Sequence, residues 1–279
     1  MATEVLRSTQ LSTASSLANP IKRLVTHARS TGMFFDFDGV LSPIQDDPET
    51  AQPLPGVQVL LQSLVQCVST VAVLSSRPAE FLFERFADVD GLKVFGLYGL
   101  EEIGPTGEVV LVKDAEVWLD TIRAVLEAAK DRFRLTNGIF VENKRLSVGL
   151  HYRAAPHLEI EVEKWARFAS STWGVQIQQG RLAVELKPQL PVDKGSTLAQ
   201  HAKSLSTTWY FGDDLGDLPA MSYIQKRRKW DASFSGLNVG VGNDTIVEDV
   251  YRMSDVFVDS PQTLQDLLDA ILRELAEKR

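Results

Sequence analysis

Short apolar runs alternate with amphipathic segments in the first third and the last third of the chain. Six runs have the length and composition of buried strands: Gly32–Asp38, Thr70–Leu74, Lys93–Leu97, Thr207–Phe211, Leu237–Val241 and Asp255–Val258. Apolar residues recur at helical spacing in Pro55–Val68, Pro78–Ala87, Asp193–Ser204 and Pro261–Lys278. Strands that are apolar on both faces and alternate with helices predict an α/β fold, with a Rossmann-like core of mainly parallel strands flanked by helices.

The middle of the chain has a different pattern. Two long amphipathic helices are predicted over Asp114–Phe133 and Pro156–Trp173. Each precedes a hairpin signal, over Gly138–Arg153 and over Val175–Leu186. We therefore predict a core of residues 31–110 and 189–279, interrupted by an α/β cap domain with an antiparallel sheet over 111–188. Residues 1–30 are expected to be a partly disordered extension, and the hinges to lie near Gly104–Gly107 and Lys187–Pro191.

Charge and composition narrow the class of protein. The 279 residues carry a formal net charge of -8, which argues against a dedicated nucleic-acid binder. The basic run Lys226–Lys229 is expected to be a solvated helix end. No segment has the apolar length of a membrane span or the apolar core of a secretory signal, and a single cysteine fits a reducing compartment. We expect a cytoplasmic protein with no membrane partner.

Polar side chains collect where the predicted parallel strands end. They are Asp36, Asp38, Ser75, Arg77, Asp213, Asp214 and Asp217, and Lys194 begins the helix that follows the inserted segment. Each aspartate and Ser75 alone is typical of a helix cap or a turn, and Lys194 alone indicates almost nothing. Because ligands of open parallel sheets bind outside the carboxyl ends of the strands, the joint occurrence predicts one site.

The chemistry of that site follows from its residue types. Gathered carboxylates repel one another unless a cation lies among them, and ligands that are all oxygen favour Mg²⁺. Such a centre can accept a phosphate dianion, whose oxygens Lys194 and Ser75 can bind. A carboxylate can then act as a nucleophile and form an aspartyl-phosphate.

These motifs resemble those of the haloacid dehalogenase-like phosphohydrolases. The four motifs are Asp36-Phe37-Asp38-Gly39, Ser75, Lys194, and the acidic stretch Gly212-Asp213-Asp214-Leu215-Gly216-Asp217. The resemblance implies that Asp36 is the nucleophile and Asp38 the proton carrier. It also implies that Asp36, the carbonyl of Asp38, and Asp213 hold Mg²⁺. Asp214 and Asp217 would then support the metal and Lys194 from the outer shell.

A closer resemblance is to trehalose-6-phosphate phosphatases, over about Met33–Asp259. It rests on DFDGVLSPI, LSSRP, GLYGLEEI, VENKRLSVGLHYR, VELKP and GDDLGDLPAM. It implies a phosphatase that hydrolyses trehalose 6-phosphate to trehalose and phosphate, with the substrate bound by Arg77, Glu142, Lys144, Arg153 and Glu185, and we expect a monomer. The chain departs from the family at Tyr98, where His is usual, at Val40, where Thr is usual, and at Ser76, where Gly is frequent.

Other interpretations remain open. The substrate could be mannosyl-3-phosphoglycerate or another sugar phosphate. A phospho-accepting receiver module would lack the inserted segment, and a catalytically dead sugar-binding relative is disfavoured by the intact acids, Ser75 and Lys194. Glu142 and Lys144 could form an exposed hairpin pair, His151 could be a satisfied sheet residue, Arg77 and Arg153 could be ordinary ion-pairing arginines, and Tyr98 could serve packing alone.

Overall fold

The structure, a computed structural model, describes residues 17–45, 48–180, 182–243 and 246–278. Its strands are β1 (Thr31–Phe35), β2 (Thr70–Leu74), β3 (Lys93–Gly96), β4 (Glu101–Ile103), β5 (Val109–Leu111), β6 (Phe140–Asn143), β7 (Val148–His151), β8 (Gln176–Gly180), β9 (Ala183–Lys187), β10 (Thr207–Gly212), β11 (Ser235–Val241) and β12 (Val256–Val258). Its helices are α1 (17–26), α2 (Val57–Cys67), α3 (Ala79–Phe86), α4 (Leu119–Phe133), α5 (Glu159–Trp173), α6 (Lys194–His201), α7 (Leu218–Trp230), α8 (Glu248–Met253) and α9 (Pro261–Glu277).

The larger sheet has the strand order β12-β11-β10-β1-β2-β3-β4-β5. The six strands from β12 to β3 are parallel, and β4 and β5 add an antiparallel edge. β1 is buried throughout because helices cover both faces: Phe35 packs in the cluster with α2 and α9, and Phe34 in the cluster with α6 and α7. This arrangement, called the core below, confirms the predicted α/β class.

The smaller sheet is antiparallel, in the order β6-β7-β9-β8. Together with α4 and α5 it forms a unit called the cap below. Along β9, Val184 and Leu186 pack against the cap helices, and period-two alternation turns Glu185 to the opposite face. That face lies over the carboxyl ends of the parallel strands, where the side chain of Glu185 contacts Tyr98 of the core.

Two segments differ from the sequence-based expectation. The expected hinge at Gly104–Gly107 is the turn of the β4–β5 hairpin, closed by Gly104 N–H donating to Glu108 O at 2.8 Å, and β5 after it still belongs to the larger sheet. In the basic run, Arg227 is not solvated. Its guanidinium donates to the carbonyls of Ala202 and Leu205 at 2.6 and 2.9 Å, at the end of α6.

The expected N-terminal extension is described only in part, because residues 1–16 lie outside the described residues. Residues 17–26 are helical, and Leu17 and Leu24 are buried in the core cluster that contains Phe35. Among the described residues, no helix combines the length and the apolar character that crossing a membrane requires.

Candidate active site

A buried lysine bridges two carboxylates at the carboxyl edge of the larger sheet. Lys194 Nζ lies 2.8 Å from Asp36 Oδ2 and 2.7 Å from Asp217 Oδ1. Lys194 is the first residue of α6, whose start is fixed by a reciprocal capping box between Asp193 and Ser196. Three sequence-predicted residues from distant segments therefore meet in one cluster.

Asp217 is fully buried and uses both carboxylate oxygens. Oδ1 accepts from Lys194 and, at 2.6 Å, from the hydroxyl of Tyr210. Oδ2 accepts from the backbone N–H groups of Asp213 and Asp214 at 2.9 and 3.0 Å. Asp217 thus fixes the position of Lys194 and the loop after β10. Asp214, in contrast, lines the cleft and caps that loop by accepting from Leu215 N–H at 2.7 Å.

Asp213 carries an oxygen that is suited to a cation. Its Oδ2 accepts from Asn243 Nδ2 at 2.8 Å, whereas Oδ1 is buried without a hydrogen-bond partner within the described part of the chain. A buried polar atom without a hydrogen-bond partner destabilises the folded protein. We therefore expect a ligand to bind at this oxygen. Burial and the neighbouring carboxylates of Asp217 and Asp36 raise the pKa of Asp213 well above its usual range.

The donor set fits a divalent cation such as Mg²⁺. One oxygen from each of Asp36, Asp213 and Asp217 lies within 4.8 Å of the others. All of these donors are carboxylate oxygens, the type that Mg²⁺ prefers. Gly39, with φ +75°, allows its loop to lie close to Asp213, because a Cβ at this position would overlap Asp213 Oδ2. The sequence-based prediction names the backbone carbonyl of Asp38 in place of Asp217; the side chain of Asp38 is paired with Arg77.

Opposing influences act on the pKa of the Asp36 carboxyl. Burial is the largest influence and raises the pKa of Asp36 to about 7, although the ammonium of Lys194 opposes it. Its Oδ1 accepts from Phe37 N–H at 2.7 Å, and its Oδ2 faces Lys194. Burial in turn disfavours the charge of Lys194, but Asp217 and Asp36 outweigh it and raise the pKa of Lys194.

The side chain of Asp38 is bound by Arg77. Arg77 Nε donates to Asp38 Oδ2 at 2.6 Å and Nη2 donates to Oδ1 at 2.7 Å, a bidentate pair. The third nitrogen, Nη1, lies 3.9 Å from Glu142 Oε1 on the cap. Ser75, at the end of β2, is fully buried, and its Oγ accepts from Arg77 N–H at 3.3 Å.

The predicted cap residues form a second buried network that faces the first. Lys144 Nζ lies 2.9 Å from Glu185 Oε2 and 3.6 Å from Glu142 Oε2. Glu142 and Lys144 are only 8% and 5% exposed, so the alternative of an exposed hairpin pair is wrong. Each of these side chains also reaches the core: Glu142 towards Arg77, Lys144 to the Ser76 carbonyl at 3.4 Å, and Glu185 to the Tyr98 hydroxyl at 3.1 Å.

The charges of the cap network are fixed by their neighbours. Burial alone would raise the pKa of Glu142, but Lys144, His151 and Arg77 overcome it and lower the pKa to about 2. His151 Nε2 lies 2.7 Å from Glu142 Oε2. Burial opposes the charge of Lys144 as well, yet Glu185 and Glu142 raise its pKa. Glu142 is therefore ionised and Lys144 protonated at neutral pH.

Both networks line one cleft of about 150 Å³. Asp36, Asp38, Asp213 and Asp214 line its core end, and Glu142, Lys144, His151, Arg153 and Glu185 line its cap end, with Arg77 and Tyr98 between them. Arg153 lines the cleft at its cap end, and its predicted role in binding substrate stays a prediction. Lys194 and Ser75 lie at the same sheet edge but are buried and are not among the residues that line the cleft. The core end of the cleft is suited to a phosphate and a cation. The cap end is a polar surface suited to hydroxyl groups.

Several residues of the site escaped the sequence-based prediction. Asn243 binds Asp213, Tyr210 binds Asp217, and Ser147 Oγ donates to Glu185 Oε1 at 2.6 Å. Tyr210 stands two residues before the acidic stretch, and Ser147 stands inside VENKRLSVGLHYR, so proximity to the motifs was the available signal. Asn243 follows β11 at the same sheet edge, a position that the strand-end argument also covers.

Comparison with known proteins identifies the family. The family described as trehalose-phosphatase matches residues 34–251. The chain belongs to the trehalose-phosphatase family. Among curated relatives, the trehalose-phosphate phosphatase of Mycobacterium leprae is 29% identical over 265 residues, 90% of this chain and 59% of that protein. The trehalose-phosphate phosphatase of Mycobacterium marinum is 34% identical over 202 residues, 69% of this chain and 51% of that protein.

The chain thus spans between half and three-fifths of the length of these two family members. A solved structure agrees in fold: the C-terminal domain of trehalose-6-phosphate phosphatase from C. albicans superposes with a TM-score of 0.73 at 18% identity, covering 91% of this chain and 96% of that one. At this identity the likeness concerns the arrangement of core and cap. The trehalose-phosphatase family and the fold are therefore fixed independently of each other.

Proposed function

We propose that this protein is a phosphatase that hydrolyses trehalose 6-phosphate to trehalose and phosphate. The observation that carries the proposal is the cleft in which Asp36, held from behind by its ion pair with Lys194, shares the lining with the buried Glu142–Lys144–Glu185 network. Membership of the trehalose-phosphatase family supports the same substrate. The surrounding core and cap would correspond to residues 31–110 with 189–279, and 111–188.

In this proposal Asp36 attacks phosphorus in line with the departing sugar oxygen and becomes an aspartyl-phosphate. The buried ammonium of Lys194, held by Asp217, and the hydroxyl of Ser75 bind the phosphoryl oxygens. Because these donors are fixed before the reaction, they stabilise charge that develops in the transition state without reorganising. Water then attacks the aspartyl-phosphate and regenerates the Asp36 carboxylate.

Mg²⁺ would be held by Asp36, Asp213 and the backbone carbonyl of Asp38, and when bound it offsets negative charge on the phosphate and the nucleophile. The unpartnered Oδ1 of Asp213 supports this assignment. Asp217 is a supporting residue in the proposal because four donors already occupy its two oxygens. Asp214 would act from the same supporting layer.

Asp38 is proposed to protonate the leaving sugar oxygen and later to take a proton from the attacking water. Both of its oxygens accept from Arg77, so these transfers require that Arg77 releases at least one of them. Arg77 then has N–H groups available for the phosphate. The same arginine approaches Glu142, so it would exchange partners at the boundary between phosphate and sugar.

The cap is proposed to select the sugar. The carboxyl oxygens of Glu142 and Glu185 can accept hydrogen bonds from sugar hydroxyls, protonated Lys144 can donate them, and Arg153 lines the same end of the cleft. A site built from buried polar groups rejects ligands that lack matching hydroxyls far more strongly than an apolar pocket does. The cap must move away from the core to admit the substrate, since its network touches the core directly.

The test is phosphate release from a panel of sugar phosphates with Mg²⁺. We expect kcat/KM for trehalose 6-phosphate to exceed that of the other members by about tenfold or more. Preference for another member, such as mannosyl-3-phosphoglycerate, would overturn the substrate assignment.

Glu142→Ala should reduce activity on the disaccharide far more than on p-nitrophenyl phosphate. Glu127→Ala, an exposed glutamate of α4 that pairs with Lys130, is the matched control and should change neither.

A further inference from the structure

Tyr98 belongs to the core, but its side chain is directed at the cap. The residue lies in the turn between β3 and β4, and its hydroxyl donates to Glu185 Oε2 at 3.1 Å. Its ring lies 4.4 Å from the ammonium nitrogen of Lys187, the second charged residue of β9 in this region. Tyr98 is therefore in contact with the strand that carries one of the proposed sugar-binding carboxylates, and it is not a packing residue alone.

The backbone of Tyr98 is held in an unfavourable conformation. Its φ of +62° lies in the left-handed region, which is uncommon for a bulky side chain. Tyr98 N–H bonds to Ser75 O at 2.8 Å, and Tyr98 O accepts from Thr197 Oγ1 at 3.0 Å. Strained residues persist where their surroundings over-determine them, and they cluster at functional sites. The turn is thus tied to Ser75 and to the first turn of α6, beside Lys194.

The chemistry of a buried phenol defines what Tyr98 offers to a ligand. Burial and the adjacent carboxylate of Glu185 raise the pKa of Tyr98 well above its usual value of 10, so the hydroxyl stays neutral. Its single proton is committed to Glu185. The phenol oxygen keeps acceptor capacity, and the residue lines the cleft shared with Asp36 and Lys144.

We propose that Tyr98 determines sugar specificity in the reaction proposed above: it holds Glu185 in place and accepts a hydrogen bond from a sugar hydroxyl. The inference rests on the proposed function. Tyr98 supplies an acceptor that Phe cannot supply, and it does so from the core, so that the sugar contacts both halves of the closed cleft. The turn that carries it also contacts Ser75, which links sugar recognition to the end of the site that binds phosphate.

The experiment compares Tyr98→Phe with the wild-type protein on two substrates: the best sugar phosphate of the panel and p-nitrophenyl phosphate, which has no sugar hydroxyls. We expect kcat/KM on the sugar phosphate to fall about tenfold or more, mainly through KM, with less than a twofold change on p-nitrophenyl phosphate. Tyr152→Phe is the matched control, because Tyr152 OH also donates to a glutamate, Glu159 at 3.0 Å, within the cap. It should change neither substrate by more than twofold.

A double-mutant cycle with Glu185→Gln tests the pairing. We expect the loss in Tyr98→Phe/Glu185→Gln to be clearly smaller than the product of the single losses. The proposal is overturned if the losses of the two single variants multiply in the double variant. It is also overturned if Tyr98→Phe shows no loss, or an equal loss on both substrates. A wild type that prefers p-nitrophenyl phosphate to every sugar phosphate overturns it as well. If the wild type prefers a sugar phosphate other than trehalose 6-phosphate, the substrate assignment fails alone and Tyr98 is tested on the sugar that is cleaved.

Discussion

The ammonium nitrogen of Lys194 lies 2.8 Å from Oδ2 of Asp36, and both side chains are almost entirely enclosed by protein. Asp36→Asn keeps the shape of the side chain and an oxygen for Phe37 N–H, but it removes the nucleophile. We expect phosphate release to fall about a thousandfold or more. Thermal denaturation should show a folded protein, because Lys194 keeps its ion pair with Asp217. Asp120→Asn, on the exposed face of α4, is the matched control. Substantial turnover in Asp36→Asn would refute the assignment.

The hydrogen bonds of Asp217 predict graded losses of stability. Tyr210→Phe removes one of four donors and should lower the free energy of unfolding by about 1–2 kcal/mol. Asp217→Asn also breaks the ion pair with Lys194 and should cost roughly 3–5 kcal/mol, because it removes one partner of a buried charge pair. Urea denaturation measures both. If the two variants lose the same amount, Asp217 does not anchor Lys194.

The unpartnered oxygen of Asp213 predicts a binding effect that can be measured without substrate. Mg²⁺ at a hundredfold excess over its dissociation constant should stabilise the folded wild type by about 2.7 kcal/mol, seen as a rise in Tm. Asp213→Asn should lose most of this rise. The variant should still fold, because Asn243 can bond to the new amide oxygen. A chelator should abolish phosphate release and added Mg²⁺ should restore it; an unchanged rate with chelator would contradict the metal proposal.

The lowered pKa of Glu142 predicts a specific loss of stability in acid. Its pKa is about 2 in the folded protein against 4.5 for the unperturbed group, so the unfolded state takes up the proton first as pH falls. The contribution is present above pH 4.5 and is lost towards pH 2. Between pH 5 and 3 the wild type should lose roughly 2 kcal/mol more than Glu142→Gln. Parallel pH profiles of the two proteins would show that Glu142 is not held ionised.

Much of the fold can be read from the sequence because its buried strands are continuous apolar runs. The run Thr70–Leu74 matches β2 residue for residue, and both predicted cap hairpins form antiparallel pairs. Asp36, Ser75 and Asp213 could be predicted to lie at one edge of the sheet, because the carboxyl ends of parallel strands meet there. The identity of the cap residues came from resemblance, because charge alone does not distinguish a buried hairpin pair from an exposed one.

The remainder depends on contacts that no local pattern encodes. β4 begins with two glutamates, yet it pairs with β3 and β5. The buried carboxylate of Glu101 is satisfied by Ala79 N–H at 2.9 Å, a partner 22 residues earlier. α7 contains a buried arginine, Arg227, in the middle of a basic run. The run masks the helical periodicity of the buried positions in α7. The pairing of Asp38 with Arg77 is likewise a long-range choice among several available cations. Such pairings are set by the folded geometry rather than by the neighbouring residues.

The central position of β1 has a consequence for how the chain is made. One edge of β1 pairs with β2, which follows within 35 residues, but the other edge pairs with β10, which begins at Thr207, 172 residues after Phe35. At translation rates of about 5–20 residues per second, roughly 10–35 s pass between the synthesis of this apolar edge and the synthesis of its partner strand. Nascent chains that end before residue 207 therefore expose one unpaired edge of the central strand, and we expect them to aggregate or to bind chaperones more than chains that extend past β10.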